Sequence, residues 1–204
     1  MAKADQEQGP TKERIRRATA DLLRVQGYAG TGLKSIAAEA RAPFGSIYHF
    51  FPGGKEQLAE DVIRESGAAY GDLFELLLGP APDLLSGVTA AFDGAAQTLL
   101  DTGFADACPI ATVALEVANT NEVLRRATAD VFDGWVEKGI PQFTRWGIDA
   151  ATARTLALAV IINLEGAFVL ARAHRSVEPL QVAGATVRSL CQSALDGRSD
   201  PSFG

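Results

Sequence analysis

Residues 33–55 read LKSIAAEARAPFGSIYHFFPGGK, and the reading of this stretch decides the fold. It predicts two short helices across a tight turn. Over residues 34–40, Ile36, Ala37 and Ala40 recur on one helical face. The turn is Arg41-Ala42-Pro43, and the residue before a proline is steered out of the helical region. Over residues 44–51, Ile47 and Phe51 stack at i, i+4, and Pro52-Gly53-Gly54 stops the helix. A corner of this size is the shape that lays a second helix in a DNA major groove. Bundles unrelated to DNA contain such corners too, so the residues that packing leaves over must decide.

Those residues are Gly45, Ser46, Tyr48, His49 and Lys55. With Ile47 and Phe51 inward, Ser46, Tyr48 and His49 fall on the flanks or the outer face. A solvated helix would carry Glu, Lys and Gln there. Small, hydroxyl and aromatic-polar groups without acid suit a surface that meets phosphates and base edges. Gly45 lets the backbone approach closely, in a first turn whose orphan amides favour anions. Lys55, opening the next helix, can reach a neighbouring phosphate. An ordinary helical corner with Tyr48 half-buried is the competing reading.

The run resembles the N-terminal DNA-binding domain of the TetR family of transcriptional repressors. That pattern places a G-S-[IL]-Y-x-x-F recognition helix before a Lys-led fourth helix. Gly45, Ser46, Ile47, Tyr48, Phe51 and Lys55 stand at those positions, with Gly27, Tyr28, Thr31, Ile36 and Ala37 upstream. The resemblance implies a DNA-contacting set of Thr31, Lys34, Ser35, Pro43, Phe44, Gly45, Ser46, Tyr48, His49 and Lys55. Two positions depart from the family. Arg41 stands where the inter-helix turn usually has Gly, and Phe44 where the recognition helix usually opens on Lys or Arg. Phe44 makes no charged contact and would instead touch a thymine methyl or a sugar.

The chain has 204 residues, 47% hydrophobic and 22% charged, an ordinary globular composition with net charge −6. The charge is unevenly placed. Residues 1–60 carry nine Lys/Arg against seven Asp/Glu, and residues 61–204 carry ten against eighteen. A mildly basic front and an acidic remainder fit a protein that turns one end toward phosphates. The polar start, residues 1–9, has no apolar leader, which gives the expectation of a cytoplasmic protein. The longest apolar run, residues 155–171, is interrupted by Asn163 and Glu165, so it reads as a buried helix and not a membrane span. Cys108 and Cys191 stand far apart without CxxC spacing and with only two His in the chain. No structural metal, disulfide or cofactor is expected.

In chain order, residues 1–10 read as a disordered arm. A first helix is expected over 11–26 with the apolar stripe Ile15, Ala18, Leu22, Val25 and with Gly27 as its C′ residue. Lys12, Arg14, Arg16 and Arg17 crowd its first turns, facing either a polyanion or solvent. Thr31 is a candidate N-cap for the second helix and, by the resemblance, a phosphate contact. The fourth helix could run over 54–78, bending at Gly67 or Gly71, and Gly79-Pro80-Ala81-Pro82 is a hard break. Helices follow near 83–102, 109–118, 121–143, 150–174 and 178–195, with Asn121 as an N-cap and Pro141 ending or kinking its helix near Gly139. The helix over 150–174 is apolar nearly all round and must be covered on most sides. Self-association through the last two helices is the expected solution, and TetR-like proteins are similar, being dimers through their last two long helices. The interface candidates are Leu164, Phe168, Leu180, Val187 and Leu190.

Two C-terminal motifs, CPIATVALEVA (108–118) and LEGAFVLARAHRSVEPL (164–180), and the PGGK insert at 52–55, resemble the TetR branch that includes lincomycin- and flavonoid-responsive repressors. They imply an aromatic or polycyclic effector. The candidate ligand-binding residues are Phe74, Phe92, Phe104, Glu116, Asn119, Phe132, Trp135, Asn163 and Phe168. For Glu116 and Asn119, ligand and structural roles stand side by side. Glu165 is expected in a salt bridge with Arg172 or Arg154.

The sequence therefore predicts an all-α protein. A three-helix helix-turn-helix DNA-binding domain occupies residues 11–56, and a helical effector-binding and dimerisation domain residues 57–198, with a flexible tail over 199–204. The expected function is a homodimeric, non-enzymatic repressor of double-stranded operator DNA, released by a small aromatic or hydrophobic effector. A ligand-independent DNA-binding regulator, and a helical dimer that binds apolar ligands without specific DNA binding, are the alternatives.

Overall fold

The computed structural model describes residues 10–105 and 108–197, and no strand occurs among the described residues. The helices are α1 (Thr11–Gly30), α2 (Leu33–Glu39), α3 (Phe44–Phe50), α4 (Gly54–Gly71), α5 (Leu73–Leu78), α6 (Leu84–Asp101), α7 (Pro109–Val117), α8 (Glu122–Thr144), α9 (Ala150–His174) and α10 (Glu178–Asp196). Residues 1–9 of the arm expected over 1–10, and the tail expected over 199–204, lie outside the described residues. The chain forms two compact units, residues 1–68 with 107–132, and residues 69–106 with 133–204. The segment 107–132, assigned from sequence to the effector domain, thus packs with the helix-turn-helix.

In the first unit, α1, α2 and α3 pack on one another through Ile15, Leu23, Ile36, Ile47 and Phe51, all essentially inaccessible. The α1 face is Ile15, Thr19 and Leu23 at i, i+4, i+8, and Val25 is exposed instead of completing it. Two residues beyond Leu23, Val25 lies on the far side of the helix. The regular part of α1 breaks at Gly27, where φ is +70°. Thr31 does not cap α2. Gly32 is the N-cap residue, and the Thr31 hydroxyl donates to the Gly27 carbonyl at 2.6 Å. The basic crowd on α1 is largely engaged within the chain. Arg14 Nε donates to the Ala40 carbonyl at the end of α2 (3.1 Å), and Arg16 pairs with Asp61 and Glu65 at 2.8 and 2.7 Å. The Lys12 ammonium lies 5.5 Å from the centroid of the Phe51 ring.

The second unit has a core of Leu84, Val88, Phe92 and Leu99 on α6, Phe143 on α8, Leu156 and Ala157 on α9, and Leu180, Val187 and Cys191 on α10. The Asp83 carboxylate caps α6 by accepting from Ser86 N at 2.7 Å, and Asp149 caps α9 through the amides of Ala151 and Thr152. The Ser86 amide holds the Asp83 carboxyl below its usual range, and the Thr152 hydroxyl, followed by the Thr152 amide, does the same for Asp149. Asp72 separates α4 from α5 just after Gly71, so the single helix expected over 54–78 is two. Pro141 does not end α8 near Gly139. The helix continues to Thr144, because one missing amide so close to the terminus removes a single ladder bond. Asn121 caps α8 as expected, accepting from Leu124 N at 2.9 Å.

Arg41 sits in the α2–α3 turn at φ +47°. A left-handed conformation costs an L-residue about 1–2 kcal/mol, and glycine returns roughly half of that gain as unfolded-state entropy. Arg41→Gly is therefore expected to stabilise the protein by about 0.5–1 kcal/mol, read as a Tm rise of roughly 2 °C in thermal unfolding.

Candidate nucleic-acid interface

The helix-turn-helix builds its outer surface by subtraction. Ile47 and Phe51 face inward at the bottom of α3, 0% and 2% exposed. Seven residues make too short a helix to hold its own shape in water, so this burial fixes the orientation of α3. What remains outside is Pro43, Phe44, Gly45, Tyr48 and His49, with Ser46 half-exposed. Phe44 and Tyr48 are 45% and 49% exposed, and their rings meet edge to face with centroids 6.0 Å apart. They form one aromatic edge on the helix. Lys34 and Ser35 are exposed on α2. A side chain added at Gly45 would meet no heavy atom within 4 Å, so nothing inside the chain requires glycine there.

Lys55 is half-buried at the start of α4, its ammonium 4.1 Å from the centroid of the Tyr28 ring. Burial pushes the Lys55 pKa below its usual range, and the Glu116 carboxylate works against that shift. Burial likewise raises the Tyr28 phenol, with a further push from Glu56. Thr31 does not belong to this surface. It is 1% exposed and its hydroxyl hydrogen is given to Gly27 O, so it shapes the α1–α2 loop from inside.

The nine residues named as ligand-binding divide between the two units. Phe92 belongs to the core of the second unit, and Phe74, Phe104 and Phe168 pack against that core half-buried. Trp135 is buried in the same unit and pairs with Tyr70 at 6.3 Å. Asn163 uses its amide on the Ala159 carbonyl, 2.8 Å away. Glu116, Asn119 and Phe132 lie in the first unit. Asn119 is exposed, and Glu116 accepts a hydrogen bond from Ala29 N at 2.8 Å. Trp146, outside those nine, has a buried Nε1 without a hydrogen-bond partner among the described residues. Arg154 pairs with Glu137 at 2.8 Å, and Arg172 Nε donates to Phe104 O at 3.3 Å.

The association candidates need the same sorting. Leu180 and Val187 are fully buried within the protomer, and Leu164 and Phe168 rest on its core. Only Leu190 of the five is exposed. The large apolar residues left outside on these two helices are Leu158, Ile162, Val169 and Leu170 on α9 and Val182 and Leu190 on α10. Of the most apolar 18-residue window of α9, with mean hydropathy 1.8, 22% is buried. Helix α9 is long and apolar enough to cross a membrane by length and composition. Arg154, Asn163 and Glu165 along it would each be costly in lipid.

Residues 15–62 match the family described as bacterial regulatory proteins, tetR family. Residues 85–186 match the C-terminal domain described as transcriptional regulator LmrA/YxaF-like. An uncharacterised HTH-type transcriptional regulator of Mycobacterium tuberculosis H37Rv is 34% identical over 94% of this chain and 99% of its own. The HTH-type transcriptional regulator LmrA of Bacillus subtilis is 28% identical over 84% of this chain and 92% of its own. Among solved structures, a regulatory protein TetR from Rhodobacter sphaeroides superposes with a TM-score of 0.76 at 22% identity, over 87% of this chain and 97% of that one.

Gly45→Ala is expected to leave stability unchanged or to raise it by about 0.5–1 kcal/mol, since alanine is the better helix former and meets no neighbour. The same variant is expected to bind DNA more weakly, because a methyl group blocks close approach. Thermal unfolding and a DNA mobility shift on one preparation separate the two effects.

Proposed function

The chain belongs to the TetR family of bacterial regulatory proteins, a non-enzymatic family of transcriptional regulators, and from that premise we propose that it represses transcription as a homodimer on operator DNA. One observation carries the DNA reading. Phe44, Gly45, Tyr48 and His49 form a solvent-facing, acid-free surface whose glycine has no role in packing. In this reading α3 enters a major groove. The Phe44–Tyr48 edge meets thymine methyls and sugars, and Lys34, Ser35 and Lys55 take phosphates.

Leu158, Ile162, Gly166, Val169 and Ala173 recur along α9 at spacings of four, four, three and four, and this face supports the dimer. Isologous packing against the same face of a second copy covers it. Gly166, whose missing side chain has open space around it, lets two such helices approach closely. A small aromatic or hydrophobic effector is assigned to the second unit, among Phe74, Phe104, Phe168 and Trp146. There the unpartnered Trp146 Nε1 offers a donor to a ligand acceptor, and satisfying a buried donor is worth about 1–3 kcal/mol. Helices α4 and α8 each run without interruption from one unit into the other. An effector that binds better to the DNA-incompetent state shifts the population toward it. The site of action is the cytoplasm, where operator DNA is.

A mobility shift on DNA from the chain's own upstream region, at two salt concentrations, tests the reading. A salt-dependent, competitor-resistant shift is expected, and its absence there and on neighbouring promoters would refute a specific regulator. Tyr48→Ala is expected to cost about 1–3 kcal/mol of specific binding. Lys55→Ala is expected to flatten the dependence of log K on log salt by about 0.9. Val169→Glu is expected to retain its helicity by circular dichroism and to become monomeric by light scattering.

A further inference from the structure

We propose that Glu116 is a positioning residue for operator recognition, a role that rests on the DNA-binding reading above. Its carboxylate, delivered by α7, holds the loop between α1 and α2 in the shape that orients the helix-turn-helix. The argument begins at Gly27. With φ +70° and ψ −177°, Gly27 breaks α1 in a region of backbone space that is nearly reserved for glycine. Amides just past such a break lose their intrahelical acceptors. The Ala29 amide finds one in Glu116 Oε2 at 2.8 Å, across 87 residues of sequence. A side chain at position 27 would overlap Glu116 Oε1 and lie 2.7 Å from its Cδ. The backbone angle calls for glycine, and a side chain there would have to push the carboxylate out of its place against the loop.

The rest of the loop is bonded to itself. Thr31 N donates to Tyr28 O at 3.2 Å and the Thr31 hydroxyl to Gly27 O. Glu116 therefore supplies a hydrogen bond from the loop to a separate helix. Tyr28, beside Ala29, supports the Lys55 ammonium, whose charged form Glu116 also favours. Following α7, Asn121 Nδ2 donates to Glu56 Oε2 at 2.6 Å, next to Lys55. Both ties join the stretch that matches the LmrA/YxaF-like domain to the stretch that matches the tetR DNA-binding family, and both lie inside the first unit. As an acid, Glu116 cannot itself be a phosphate contact, so its effect on DNA must pass through the loop.

The experiment compares the full-length wild type, Glu116→Ala and Glu116→Gln on DNA from the upstream region across a salt series, with hydrogen exchange at the Ala29 amide and thermal unfolding alongside. Glu116→Ala is expected to weaken specific binding at least tenfold, to speed exchange at Ala29, and to leave the salt slope unchanged, since no phosphate contact is removed. Glu116→Gln keeps an acceptor oxygen and is expected to bind within threefold of wild type. Should the alanine variant fail to fold, Glu116→Asp, one methylene short of the amide, takes its place. Binding within twofold of wild type despite faster exchange would overturn the role, as would a slope lowered by about 0.9. Failure of the wild type itself to bind would instead overturn the DNA reading, and it shows in a separate lane.

Discussion

A recognition helix of seven residues has no stability of its own, and the first unit is arranged around that constraint. Ile47 and Phe51 each contribute roughly 1.5–3 kcal/mol by burial, against Ile15 and Leu23 on α1 and Ile36 on α2. Once these two anchors are inside, no freedom remains in what the helix presents. Phe44, Gly45, Tyr48 and His49 are outward because the anchors are inward. Arg41 is held at a positive φ by the same requirement, since a short turn must bring α3 back across α2 and the chain accepts local strain to do it. Arg14, donating to Ala40 O, supplies the cation that the end of α2 otherwise lacks.

The second unit meets a different constraint. Helix α9 is apolar around most of its circumference, yet the protomer covers only part of it. One side is buried in the core of the unit through Leu156, Ala157, Ala167 and Ala171, and the opposite side keeps Ile162 66% exposed. A face of this kind has to be covered in water, and the proposed homodimer is the arrangement that covers it with a surface the chain already has. The packing of α6 against α10 shows how tight the interior is. Gly184 admits Phe92 so closely that a side chain there would stand 2.9 Å from Phe92 Cβ.

Between these two constraints stands α7, which belongs by sequence likeness to the C-terminal domain and by packing to the DNA-binding head. Its acid tie to Ala29 is made by a residue that a helical-period reading treats as a polar exception, and the Asn121–Glu56 bond by one that it treats as a helix cap. Glu116 is itself exposed, so burial does not force its bond. The partner of Glu116 is a backbone amide at a helix break, and of the aromatic residues first grouped with it only Phe132 lies in the same unit.

The sequence by itself determined the class of the protein and the place of nearly every helix. Periodicity at 3.6 residues, the Asn121 cap, the Gly79–Pro82 break and the G-S-I-Y-x-x-F run are local signals, and local signals survive without knowledge of the partner. Gly27 as a helix end was legible for the same reason. What only the tertiary structure decided is which of two apolar faces meets a neighbour. Leu180 and Val187 read as well for an interface as for a core, and they are core. Val25 fits an apolar stripe and is exposed, Thr31 fits a surface contact and is buried, and Glu116 fits a pocket and is bonded to Ala29. Leu180, Val187 and Glu116 turn on contacts between residues far apart in the chain, and hydrophobic pattern carries no information about who the distant partner is.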